Sequence, residues 1–459
     1  MQRGRSWSES TVHNIGRPWR RSINAASQAI DGGYAKHHAS LWRAVSQERR
    51  LSPMGSTGTA IVIGAGVIGV TSAYALARKG WTVELVDAAP DVAAGASRGN
   101  GRQLSYSHTG ALASPSLIAK LPQLALGYDP AFRLSLRPDL AYARWLTSFI
   151  WQCRRGAYVR NTLECSRLAS ESRRAMDRLL DDHALSFGLR DAGKLVLLPD
   201  TKSIEDARAT LRLTAQFGQP QDIVSRSVAI EIEPALEGFA AQFAGAVYAP
   251  QDQTADCALF CKRLLETITA EYGAIFRGGM RAVSIEDGKA ESVVRYANGD
   301  ARSASMVVVA GGHEVNWLLA PLGHRQAIAP MKGYSFTAPV GRKAPEVSIT
   351  DSANRLVFTR LEDRILVAGR AELGESWAAV DADHLQAMKR QAQAVMPNVA
   401  DYSASDEGWA GIRPMTPNSL PVTRKLSPSL AINVGHGMLG WTLAMGSSNR
   451  LAQIVGSPG

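Results

Sequence analysis

The stretch that most restricts how this chain can fold is Thr59–Asp87. Thr59-Ala-Ile-Val-Ile63 is a short, β-branched, apolar run, as expected of a buried parallel strand. It passes directly into Gly64-Ala65-Gly66-Val67-Ile68-Gly69, then into a helical stretch, Val70 to Lys79, that ends at Gly80. A second strand, Thr82-Val-Glu-Leu-Val86, finishes on Asp87. In such a unit the first glycine makes the tight turn and the second lets a pyrophosphate approach the backbone. The third lets helix and strand pack closely. The helix start then offers unpaired N–H groups and the positive end of its dipole to the phosphates. Asp87 can accept both hydrogen bonds of a ribose diol and would repel a 2′-phosphate, which favours FAD or NAD over NADP. A bare glycine pattern is weak; strand, glycines, helix, strand and terminal acid in this order are strong.

Beyond Asp87 the chain does not resume the βαβ alternation usual for an NAD unit. It enters a polar, glycine-dense stretch, Gly95-Ala-Ser97-Arg-Gly-Asn100-Gly101-Arg-Gln103-Leu-Ser105. Such a loop suits the hydrogen-bonding needs of an extended cofactor, with a surface turn as the alternative. Near the other end, Gly411-Ile-Arg413-Pro-Met-Thr-Pro417-Asn reads as a proline-locked loop carrying one arginine. Leu430-Ala-Ile-Asn-Val434 then runs into Gly435-His436-Gly437-Met438-Leu439-Gly440-Trp441-Thr442 and a helix to about Ile454. This second strand–glycine–helix junction places another positive helix end where negative charge on a flavin could be stabilised. Between the two lie β-rich segments at 194–198, 245–249, 281–286, 292–296, 306–310, 355–359 and 364–369, and a helix Ala258–Tyr272 closed by Gly273.

A net charge of +10 over 459 residues invites a nucleic-acid or membrane reading. Residues 1–55, however, hold nine basic and three acidic residues, leaving a surplus of only four over the rest. That leader has no helical or strand period and is Ser-, Arg- and Gly-rich, so it is expected to lie outside the fold. It reads as sequence upstream of a start at Met54, a disordered extension or a transit peptide. The four cysteines form no CxxC pair, so neither a disulfide scaffold nor a metal site is expected. No apolar run reaches the ~18 residues of a membrane span.

From Thr59 onward the chain resembles the FAD-dependent amine and amino-acid oxidoreductases typified by D-amino acid oxidase. The likeness is carried by Gly64–Gly69, Asp87, the Ser97, Asn100 and Gln103 pattern, and Pro330-Met-Lys-Gly-Tyr-Ser335. Arg364–Glu372, Trp409–Pro417 and Asn433–Thr442 complete it. The resemblance implies an α/β fold: a Rossmann-like FAD-binding domain and a second, α+β substrate domain on a mostly antiparallel sheet. The expected division gives 56–115, 235–330 and 405–459 to the FAD domain, and 116–234 and 331–404 to the substrate domain.

By the same resemblance the chemistry is oxidative deamination of D-amino acids to 2-oxo acids and ammonia. Hydride passes from Cα to flavin N5, and electrons leave to a quinone or another acceptor. Non-covalent FAD would contact Ile63, Gly64, Ala65, Gly66, Val67, Ile68, Gly69, Asp87, Ser97, Asn100, Gly101 and Gln103. Val283, Ala310, Gly311, Gly435, Gly437, Met438, Leu439, Gly440, Trp441 and Thr442 complete the contact set. Arg413 is implied as the grip on the substrate carboxylate, since a guanidinium offers a planar fork matched to two carboxylate oxygens. Tyr334 is implied as a lid or amine-side residue, with plain packing the alternative. His436 has a structural or flavin-edge role in this reading, and Lys332 stays open between flavin and strand support.

Arg102, where relatives usually have glycine, leaves the exact substrate open. A secondary amine or imino acid such as D-hydroxyproline, an opine or sarcosine is the sister reading. A tRNA-modifying flavin domain and a non-catalytic FAD-holding subunit are readings of another class; the near-neutral body gives the first little support and Arg413 speaks against the second. The expected setting is cytoplasmic and without nucleic acid. The aromatic stretch Ala143–Arg155 is either a buried helix of the substrate domain or a peripheral contact with the inner face of the membrane.

Overall fold

A computed structural model describes residues 58–118, 132–135, 137–239 and 243–458; the basic leader lies outside them. Along the chain come strand β1 (Thr59–Ile63), helix α1 (Val67–Ala77), strand β2 (Thr82–Val86) and helices α2 (Leu140–Gln152) and α3 (Arg155–Asp182). The middle holds β3 (Lys194–Leu198), β4 (Gly245–Ala249), α4 (Cys257–Tyr272), β5 (Ile275–Arg277) and β6 (Met306–Val309). Then follow β7 (Ala329–Pro339), β8 (Ser348–Asp351), β9 (Leu356–Arg360), β10 (Arg364–Leu373) and α5 (Ala382–Val395). The chain closes with β11 (Trp409–Met415), β12 (Val422–Lys425), β13 (Leu430–Val434) and α6 (Gly440–Val455).

Two large sheets organise these elements. The first has the order β12-β13-β6-β1-β2-β5, parallel except for the edge strand β12. Its central strands are buried on both faces, which is why β1 and β6 read as unbroken apolar runs. Helix α1 packs on this sheet beside α6, and buried hydroxyls join the two helices: Thr71 Oγ1 lies 2.8 Å from Ser448 Oγ. Helix α4 starts where the Asp256 carboxylate accepts the Leu259 amide and ends at Gly273 in the left-handed region.

The second sheet has the order β11-β7-β10-β9-β8-β3-β4 and continues to a short strand, Asp222–Ser225. It is antiparallel apart from the β8–β3 pair and a short strand, Phe132–Leu134, beside β10. Strands β4 and β11 belong to this sheet, although the division read from sequence places both segments with the FAD domain. The stretch expected to be a proline-locked loop is mostly strand: β11 reaches Met415 and contains Pro414. Proline is tolerated because β11 is the sheet's edge, where one row of N–H groups has no ladder partner to serve. Helix α2 buries Tyr142, Trp145 and Phe149 and leaves Leu140, Ile150 and Trp151 exposed. The buried-helix reading of the aromatic stretch therefore holds for one face, and the Trp145 indole donates to the Met415 carbonyl at 2.9 Å.

Candidate active site

The glycine turn is built by close approach. Gly64 has φ +104°, and a Cβ there would lie 2.7 Å from the Ala310 carbonyl oxygen. A Cβ on Gly69 would come within 1.6 Å of the Gly64 carbonyl oxygen, so only glycine lets α1 start so near the strand end. Gly66 caps α1 with no side-chain partner of its own, and the Val67 amide donates to Ser97 Oγ at 2.9 Å. The following first-turn amides have no carbonyl one turn earlier to receive them, which leaves a ready anion site. Asp87 Oδ2 accepts the Ala65 amide at 2.6 Å and Oδ1 the Ala89 amide at 2.8 Å. The carboxylate thus braces the turn, and each oxygen keeps a further lone pair for a ribose hydroxyl. Ile63 ends β1, while Ala310 and Gly311 close the other side of the turn.

The second junction lies against the strand that carries Arg413. Met415 and His436 form an isolated β-bridge, and the Ser105 amide donates to Thr442 Oγ1 at 3.1 Å in the first turn of α6. Gly435 and Gly437 both adopt positive φ, and Met438 is half-exposed beside Leu439 and Gly440. His436 is buried, with Nε2 2.8 Å from Ser447 Oγ, and burial pushes its pKa down to about 3. Such an imidazole ties the turn to α6 and is too weak a base for proton abstraction near neutral pH. The Trp441 indole is buried against Phe260, ring centroids 4.7 Å apart, and its Nε1 has no hydrogen-bond partner among the described residues.

Arg413 sits on β11 opposite Met331 of β7. Its guanidinium lies over Gly333, where a Cβ would be 2.4 Å from Cζ. The Trp409 ring, two registers away on the same face, lies over Gly411 and against Gly99. Arg413 is half-buried, and burial lowers its pKa to about 10. Among the described residues it has no carboxylate or hydrogen-bond partner, which is unusual for a half-buried guanidinium.

Tyr334 does not join this group. It neighbours Gly333 on β7 and so points to the opposite face, where it is 1% exposed in the core beside α5. Its hydroxyl donates to Glu372 Oε2 at 3.3 Å, and burial followed by the Glu372 charge raises its pKa. Lys332 shares that face, with Nζ 5.0 Å from the Tyr334 ring centroid. Arg102 is also committed elsewhere, ion-paired with Asp256 at the start of α4. Asn100 Oδ1 accepts the Arg102 amide, and Gly101 and Gln103 contact the large sheet. Val283 lies at a register shift in a three-stranded sheet (Ala282–Glu286, Ser292–Tyr296, Ala301–Ala304), its side chain exposed. Lys194 is the site-side residue that sequence reading passes over, while Trp409 and Ser105 figure there only as the ends of longer motifs. The signal for Lys194 is a lone lysine opening the apolar run Leu195–Leu198.

The glycine cradle, the open helix start and Asp87 fit a dinucleotide, and the second junction beside Arg413 fits the redox end of FAD. A family model described as FAD dependent oxidoreductase (DAO) matches residues 59–454. A relative named D-amino acid dehydrogenase 2, from Ralstonia nicotianae, is 37% identical over 412 residues, covering 86% of this chain and 95% of the relative. A second of that name, from Pseudomonas aeruginosa, is 36% identical over 400 residues, covering 86% and 94%. Among solved structures, glycine oxidase from Geobacillus kaustophilus superposes with a TM-score of 0.65 at 20% identity, covering 87% of this chain and 95% of its own. The glycine turn, the antiparallel second sheet and these likenesses agree: the chain belongs to the DAO family of FAD-dependent oxidoreductases.

Proposed function

We propose that the protein oxidises D-amino acids, with Arg413 holding the substrate carboxylate and FAD bound non-covalently between the two glycine junctions. The observation that carries this reading is the unpaired guanidinium of Arg413 lying over Gly333, on the strand whose last residue, Met415, bridges His436 ahead of α6. A carboxylate laid on its fork would gain two charge-assisted hydrogen bonds and pair a half-buried cation that otherwise has no partner among the described residues. Bound FAD supplies the acceptor for the two electrons of the substrate Cα–H bond. The chain's own part is to orient: Arg413 fixes one end of the substrate, and the Trp409 ring limits the space beside it. His436 contributes no base, in keeping with chemistry that needs only a neutral amine. The D hand is supported by the relatives' names, since handedness depends on which face of Cα meets the cofactor. Anaerobic addition of D- and L-amino acids to the purified yellow protein tests the reading. Bleaching of the flavin by D-amino acids is expected, and bleaching only by L-amino acids or by none would refute it.

The electrons then pass to a quinone or another carrier. No helix among the described residues is long and apolar enough to cross a membrane. Contact with a bilayer would instead be peripheral, at the end of α2, where Ile150 and Trp151 are exposed and the Arg154 guanidinium covers the Trp151 ring at 2.8 Å. An exposed apolar pair followed by two exposed arginines, Arg154 and Arg155, suits an anionic interface. The wild type is expected to sediment with anionic vesicles, and the triple variant W151A/R154A/R155A to stay in solution with its FAD retained. Equal sedimentation of the two would place the electron exit elsewhere.

A further inference from the structure

Between the two sheets lies a pattern that Arg413 does not use. From Gly99 to Ser105 the backbone crosses the face of the large sheet, and the strands it passes contribute to it in their spatial order. Ser335 Oγ on β7 donates to the Gly99 carbonyl at 2.8 Å. Gly101 passes over Ala368 of β10 and Val357 of β9, and Thr359 Oγ1 on β9 donates to its carbonyl at 3.0 Å. Gln103 Nε2 donates to Ser348 Oγ and Thr350 Oγ1 on β8 at 2.6 and 3.3 Å. Lys194 Nζ on β3 donates to Gln103 Oε1 at 3.1 Å and Ser105 Oγ at 2.8 Å. The Ser105 amide then reaches Thr442 at the start of α6.

Lys194 is the unusual member of this series. It is 4% exposed and has no ion-pair partner among the described residues. Nearby Asp252 accepts the Ser107 amide with Oδ1 at 3.1 Å, and its Oδ2 has no partner. A buried ammonium without a paired carboxylate is costly to fold. For holding a loop alone, a neutral hydroxyl of the kind β7, β8 and β9 supply would suffice. The ammonium reaches further than they do, gripping two side chains of the loop at once and standing one residue from α6.

We propose that Lys194 is a positioning residue for the bound flavin. It fixes Gln103 and Ser105 against the large sheet and, through Ser105, sets the start of α6, so that the cofactor and Arg413 keep one register. The proposal rests on FAD binding and not on the identity of the substrate.

Lys194→Met and Ser105→Ala, prepared as holoproteins, test it. In Lys194→Met the FAD dissociation constant is expected to rise about tenfold or more, the loss that follows when hydrogen bonds to a charged group are removed. The visible circular dichroism of the flavin is expected to change, because the ring's surroundings shift. With a reducing substrate, kcat should fall about tenfold while KM moves less than about threefold, since Arg413 lies on its own strand. Ser105→Ala should show the same spectral change at smaller amplitude. Wild-type FAD affinity and flavin dichroism in Lys194→Met would overturn the proposal, as would a loss of thermal stability alone. Should Lys194→Met fail to fold, unchanged dichroism in Ser105→Ala would overturn it. The flavin readouts need no substrate, so failure of the D-amino acid reading would leave this one standing or falling by itself.

Discussion

Arg413→Met is expected to give a yellow protein, fully loaded with FAD, that substrate no longer reduces. Methionine keeps an apolar stem of similar length on β11 and removes the fork, its charge and its cover over Gly333. Losing one partner of an enclosed, hydrogen-bonded charge pair costs about 3–5 kcal/mol, so kcat/KM should drop about 10³-fold. The cofactor should stay, because Arg413 touches neither the glycine turn nor Asp87 through any hydrogen bond. Anaerobic titration with a D-amino acid, read at the flavin absorbance, measures the loss. Half-saturation at the wild-type concentration would show that the carboxylate is held elsewhere.

Gly69→Ala should act at the other end of the cofactor and abolish its binding. The added Cβ would meet the Gly64 carbonyl at 1.6 Å, far inside any tolerable contact, so turn and helix start must separate. Overpacking at a rigid site costs about 1–3 kcal/mol or more, and here the displaced amides are those meant for the phosphates. FAD affinity is expected to fall at least about a hundredfold, with a melting temperature a few degrees lower. Gly95→Ala is the matched control, since a Cβ there meets nothing within 4 Å and its φ is not positive. Retention of FAD by Gly69→Ala, measured by ultrafiltration, would contradict this account of the turn.

What could be read without the structure was local. The β1–α1–β2 unit is contiguous, and its glycines announce close approaches a few residues apart. Arg413 could be picked out as a candidate because its surrounding residues carry a family pattern. Tyr334 was not, because its role depends on which face of β7 it occupies, and that is fixed by pairing with β10 and β11. The extra residue at the bulge, Arg370, lies on β10, so β7 keeps its alternation and sends Tyr334 away from Arg413. Strand β11 was hidden by Pro414 inside it and Pro417 just beyond, since edge position is a property of the sheet and not of the segment. Lys194 was hidden for a similar reason: its strand lies between β4 and β8, the latter more than 150 residues later, and those long-range pairings bring it under the loop.

The guanidinium lying flat on Gly333 has a thermodynamic consequence. A free arginine side chain carries about 2 kcal/mol of rotamer entropy, most of which a ligand would have to remove on binding. Here part of that cost falls on folding, because the bare peptide at Gly333 gives the guanidinium a surface to rest on before any carboxylate arrives. Affinity should therefore respond more to the shape of the ligand than to the flexibility of the pocket, and a rigid planar carboxylate should be able to inhibit without fitting the rest of the site.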